Sequence, residues 1–188
     1  MADIHVPDDT PRTAKEIARR TLVLSSVIAC AHGGQPQEYI EWLKREGLWN
    51  DLSPQEKFFL SGNPTKQARI NMTWRSEAMV PLLWAIRKIK AMPSLASQCN
   101  TQPLVKVVVF PPAPTSAYIK TARLRSDSEI HEEYEKVYQA HWRARDAEFH
   151  NKPFPVDVIP GVVQERHYAF NWIIGYMGQS WDEISTDT

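Results

Sequence analysis

Residues 162–172 read VVQERHYAFNW, and Glu165, Arg166 and His167 stand side by side in a run that is otherwise almost wholly apolar. On a helix advancing about 100° per residue, Val162, Val163, Ala169, Phe170, Ile173 and Met177 gather around Arg166, so the guanidinium lies at the centre of the apolar face. Glu165 falls on one flank with Trp172 and Tyr176, and His167 falls on the other with Asn171 and Ile174. A helix apolar on so many sides is the central one of a bundle, covered by its neighbours. A buried guanidinium without partners is very costly, so the fold has to bring carboxylates or carbonyls to Arg166.

Outward from this segment the chain reads as helix after helix. Thr13 with Glu16, Ser53 with Glu56 and Ser126 with Glu129 are capping boxes, in which two side chains satisfy amides that a helix start leaves open. Gly33-Gly34 and Gly47 are stop signals, and Pro36 suits a first helical turn. Asn63-Pro64 predicts the start of a long helix running to about Lys90, and Pro160-Gly161 precedes the last one. Residues 91–116 are the exception: QPLVKVVVFPPAPTS joins a β-branched run to clustered prolines, and local pattern leaves a strand, a covering loop and a distorted helix open. With one candidate strand and no partner for it, the fold class is all-α: an irregular single-domain helical bundle over residues 1–188, with an N-terminal arm at 1–12 and a proline-rich loop at about 91–116.

The bulk properties narrow the function. Lys plus Arg and Asp plus Glu each number 22 in the 188 residues, so no excess charge points to nucleic acid or to an anionic membrane. No apolar run reaches membrane-spanning length. Cys30 and Cys99 lack spacing partners, which indicates neither a zinc knuckle nor a disulfide framework and fits a reducing cytoplasm. The stretch ARRTLVLSSVIACAHG imitates an export leader, but Asp3, Asp8, Asp9 and Glu16 precede or enter it. Ile17, Leu24, Val27, Ile28 and Ala31 recur there at the spacing of an ordinary amphipathic helix.

Two other helices carry charge toward the same interior. Ile130, Tyr134, Val137, His141, Ala144 and Glu148 form one stripe, with Arg145 at its edge. Thr73, Glu77, Val80 and Trp84 share a face, and Pro81 cannot donate the amide that would close the turn onto the carbonyl of Glu77, which predicts a kink.

In order along the chain, WRSEAMVPLLWAI, LRSDSEI, HWRARDA and ERHYAFNWIIGYM followed by WDEISTDT resemble the successive signatures of the bacterial family called domain of unknown function 4272. The likeness runs from about Arg19 to residue 188. It carries over Trp74, Arg75, Glu77, Trp84, Arg125, His141, Trp142, Arg145, Asp146, Glu165, Arg166, His167, Asn171 and Trp172. The chain departs from the pattern at Arg87, where a glycine is expected, and in the proline-rich 91–116 segment. The family implies no assigned activity.

Three readings of the polar residues follow. In the first, Arg75, Arg145 and Arg166 balance Glu77, Asp146 and Glu165 in a structural network that fixes helix register. In the second they form a site: His141 and His167, with Glu165, are the candidate acid–base groups, and Arg75, Glu77, Arg145, Asp146, Arg166 and Asn171 are the candidate ligand-binding residues, with Arg145 and Arg166 clamping an anion. The third, a metal site of Glu77, His141, Glu165 and His167, is disfavoured because Glu165 and His167 point to opposite flanks and arginines surround them. The sequence thus predicts a cytoplasmic binding or regulatory module with no cofactor and no metal, acting on a small anion or a protein partner, a second copy of the chain included. An enzyme using His141 and His167 is the alternative. Trp181 is expected to dock on the bundle and order the acidic terminus.

Overall fold

The computed structural model describes residues 9–188; residues 1–8, most of the expected N-terminal arm, lie outside the described residues. The described residues hold eight α-helices and three short 3-10 turns joined by loops, with no strand among them, so the all-α expectation holds. None of these helices is long and apolar enough to cross a membrane.

Four long helices form the body. α1 (Ala14–Ala31) packs on α4 (Lys66–Ala85), α4 on α8 (Pro160–Ile174), and α8 on α7 (Asp127–Phe149). α2 (Pro36–Arg45), α3 (Pro54–Ser61) and α6 (Ser116–Thr121) close over α1. All three expected capping boxes are formed, at Thr13, Ser53 and Ser126.

The fourth helix corrects the sequence reading at both ends. Its cap is Thr65, whose hydroxyl accepts from the amide of Ala68 at 3.1 Å, rather than Asn63. It stops at Ala85, short of Lys90, because Arg87 adopts a left-handed conformation with φ of 60°. The amide of Lys88 then reaches back to the carbonyl of Leu83 at 2.9 Å, and that of Arg87 to Trp84 at 3.0 Å, a closing pattern that satisfies the last carbonyls. A side chain at positive φ is strained where glycine is not. That accounts for the glycine expected at this position, and Arg87 offsets the strain by pairing with Glu129 at 2.9 Å. α4 runs through Pro81 as one helix.

Residues 91–116 resolve as a covering loop with one short helix, α5 (Thr101–Val105), ahead of α6. No neighbouring strand exists among the described residues to pair with the β-branched run, so Leu104 and Val108 bury their side chains in the helical core instead.

What holds this loop down is the buried ion pair of Arg166 and Glu77, the first fully buried and the second 2% exposed. Oε2 of Glu77 accepts from Nε and Nη2 of Arg166 at 3.1 and 2.8 Å. The remaining nitrogen, Nη1, donates to the carbonyl of Pro93 at 2.6 Å, and Oε1 of Glu77 accepts from the amide of Cys99 at 2.6 Å. One ion pair therefore joins α4, α8 and both ends of a loop segment. Removing one partner strands a buried charge, so Glu77→Ala should lower the unfolding free energy by about 3–5 kcal/mol in urea titration, whereas Glu77→Leu combined with Arg166→Met should recover most of that loss.

Candidate functional site

The three charged or titratable residues at the centre of α8 each find a different partner. Arg166 is taken up by Glu77 and Pro93, as described. Glu165, one position earlier, accepts from Nη1 of Arg75 on α4 at 3.1 Å. His167, one position later, meets His141 on α7, with the two Nδ1 atoms 2.9 Å apart. Successive residues of a helix point about 100° apart, so the expected single cluster becomes three separate pairs. The quartet weighed as a metal set is divided among them, and no group of three His, Cys, Asp or Glu among the described residues is placed to hold a metal ion.

The Arg75–Glu165 pair lines a groove of about 530 Å³ between α3, α4 and the start of α8. Phe58, Phe59, Met72 and Trp74 give it apolar and aromatic walls, and Phe58 stands 71% exposed at its edge. Gly161 makes room for the Trp74 indole: a Cβ there would lie 3.0 Å from the ring. The Arg75 guanidinium lies 4.2 Å over the ring of Tyr168. Burial pushes the Glu165 carboxyl above the usual range, against the opposing pull of Arg75.

His141 and His167 are both buried, at 4% and 1% exposure. Burial first, and then the neighbouring His141, push His167 down to about 4. Burial and then the charge of Arg145 also lower His141. His141 lines a second, polar cavity of about 410 Å³, with Arg145, Glu148, Gln164 and the terminal residues Thr186, Asp187 and Thr188. Gln164 borders both cavities.

The remaining candidates do not join the pairs made by α8. Arg145 pairs with Glu148 at 2.5 Å at the surface. Asp146 faces His150 at 3.0 Å and Lys152 at 3.6 Å near the end of α7, so it balances neither Arg166 nor Arg75. Asn171 donates from Nδ2 to the carbonyl of Ser185 at 2.8 Å. Trp142, one of the positions carried over by the resemblance, is half-exposed.

A further buried ion pair, Arg20 with Glu56, escaped the sequence reading. The signal was present: Arg20 sits between Ile17 and Leu24 in the buried stripe of α1, and Glu56 belongs to a capping box. Arg20 lies 4.5 Å over the Trp181 ring, which also has Arg75 at 5.9 Å. Trp181 meets Tyr168 and Trp172 edge-on at 5.1 and 5.5 Å, and the Tyr168 hydroxyl donates to its carbonyl. The terminal segment is thus docked through Trp181, as expected.

Two outcomes follow. Truncation after Met177 should lower the melting temperature by several degrees in a thermal scan, because it uncovers Tyr168 and Trp172 and removes the aromatic face of two cations. As pH falls below about 6.5, unfolded histidine takes up protons. Folded His167 resists protonation until about 4. Stability should therefore decline across that window, by up to about 3 kcal/mol at its lower end, and His167→Leu should flatten the decline in denaturation midpoints measured against pH.

Neither the curated proteins nor the solved structures contain a match to this chain. A family model does match, over residues 4–184, beginning upstream of the Arg19 boundary read from the motifs. The chain belongs to the family described as Domain of unknown function (DUF4272).

Proposed function

We propose that the protein is a binding module for a small organic anion with an apolar or aromatic body, held in the groove between α3, α4 and α8. The observation that carries this reading is the Arg75–Glu165 pair set among Phe58, Phe59 and Trp74 in a space of about 530 Å³. Ligand sites are concave and mostly apolar, with a few charged groups that fix orientation, and this volume suits a small molecule. The aromatic walls take the body of the ligand, and the guanidinium takes its carboxylate or similar head group.

Arg166 does not serve as the anion clamp in this reading, since each of its nitrogens is already engaged inside the core. Arg75 takes that role. Its partner Glu165, with its raised affinity for a proton, can yield to an incoming carboxylate or donate to it. A cytoplasmic setting fits the two free cysteines.

Phenylacetate, benzoate and hexanoate serve as probes in a thermal-shift titration. A probe at a hundredfold excess over its dissociation constant stabilises by about 2.7 kcal/mol, a shift of several degrees for a chain of this size. At least one of the three should raise the melting temperature, and the shift should vanish in Arg75→Gln and in Phe58→Asp. No shift with any probe refutes the reading. A concentration-dependent dimer abolished by Phe58→Asp also refutes it, because the groove would then belong to a second copy of the chain.

A further inference from the structure

His141 and His167 face each other through Nδ1 atoms 2.9 Å apart, so one nitrogen carries the proton and the other the lone pair. The surroundings of His167 decide which. Its outer nitrogen, Nε2, is buried without a hydrogen-bond partner, and so is Oδ1 of Asn171 one helical turn along. Asn171 is oriented by its Nδ2 bond to the Ser185 carbonyl at 2.8 Å, which leaves Oδ1 as an acceptor awaiting a donor. No hydrogen bond joins these two atoms as placed, but a proton on Nε2 of His167 has Oδ1 of Asn171 as the unmatched acceptor one turn along the helix, and buried polar groups are rarely left unmatched. The Asn171 side chain favours protonation of the His167 ring, against the larger opposing effects of burial and of His141. Nδ1 of His167 then accepts from Nδ1 of His141, and Nε2 of His141 is left with its lone pair. His141 lines the 410 Å³ polar cavity, and the residues just past Ser185 line it as well.

We propose that this cavity is an acid–base site, distinct from the groove at Arg75, in which Nε2 of His141 accepts a proton from the acidic O–H or N–H of a small polar ligand. His167, Asn171 and the Ser185 carbonyl are positioning groups that hold His141 in the accepting tautomer, as an oriented partner does for any catalytic imidazole. In the transfer, the ligand O–H or N–H bond breaks, its electron pair stays on the ligand, and the proton ends on Nε2. The imidazolium keeps its Nδ1–H bond to His167 and gains from the charge of Glu148. Arg145 is the cation that lines the cavity with His141, and Asp187 of the terminal segment lines it as well. Around His167 itself stand the rings of Tyr134 and Tyr138, at 5.8 and 5.4 Å, which shield it from water.

Two measurements on the full chain test this. Long-range proton–nitrogen correlation spectra of 15N-labelled protein at neutral pH should show His141 protonated at Nδ1 and His167 at Nε2. Asn171→Leu should give mixed tautomers, an effect that a merely space-filling asparagine would not have. With 4-nitrophenol as the acidic probe, an Arg75→Gln background first removes the anion clamp of the other groove; in that background binding should still raise the phenolate absorbance, and adding His141→Gln should lose the rise. The opposite tautomers overturn the proposal, as does an absent phenolate signal or one that survives His141→Gln.

Discussion

A guanidinium in the middle of a helix bundle is very costly without partners, and in this fold Glu77 and the Pro93 carbonyl meet all three nitrogens of Arg166. The consequence reaches beyond one contact. Glu77 spends its second oxygen on the Cys99 amide, so the pair that joins α4 to α8 also grips the loop at two points. Buried ion pairs are poor sources of net stability, because desolvation cancels much of the attraction. Their stronger effect is to exclude alternatives: sliding α8 by one residue past α4 would leave a charge unpaired on each side. Glu165 and His167 are consequently held at fixed positions, one facing the groove and the other facing α7.

That arrangement explains how much was legible in the sequence. The burial of Arg166 followed from its place among Val162, Val163, Phe170 and Ile173, since a helical period alone defines that face. The three capping boxes followed from chemistry local to four residues. Partners were another matter. Which of Glu77, Glu165 and Asp146 would meet Arg166 depends on how helices far apart in the chain come together, and no periodicity reports that. The same limit hid the Arg20–Glu56 pair, although Arg20 interrupts an apolar stripe just as Arg166 does. Residues 91–116 were undecided because their β-branched run has no strand to join, a fact that belongs to the whole fold.

The family pattern at Arg87 has a local explanation in the same terms. Closing α4 after Ala85 needs a left-handed residue, and Arg87 fills that position with a side chain anchored on Glu129. Gln164 of α8 borders two cavities of different character, a largely apolar groove at Arg75 and a polar cavity at His141. The terminal segment contributes to each side: Trp181 stacks near Arg75, while Ser185 orients Asn171 and the residues after it line the His141 cavity.

Amide hydrogen exchange at Cys99 tests the central role of the Arg166–Glu77 pair most directly, because this loop amide has the Glu77 carboxylate as its acceptor. In the wild type it should exchange as slowly as the amides of the core helices, and Arg166→Met, which frees Glu77 to turn away, should bring it to the rate of an open loop. A Cys99 amide that exchanges rapidly in the wild type, or stays protected without Arg166, would contradict the claim that this one pair ties the loop to the bundle.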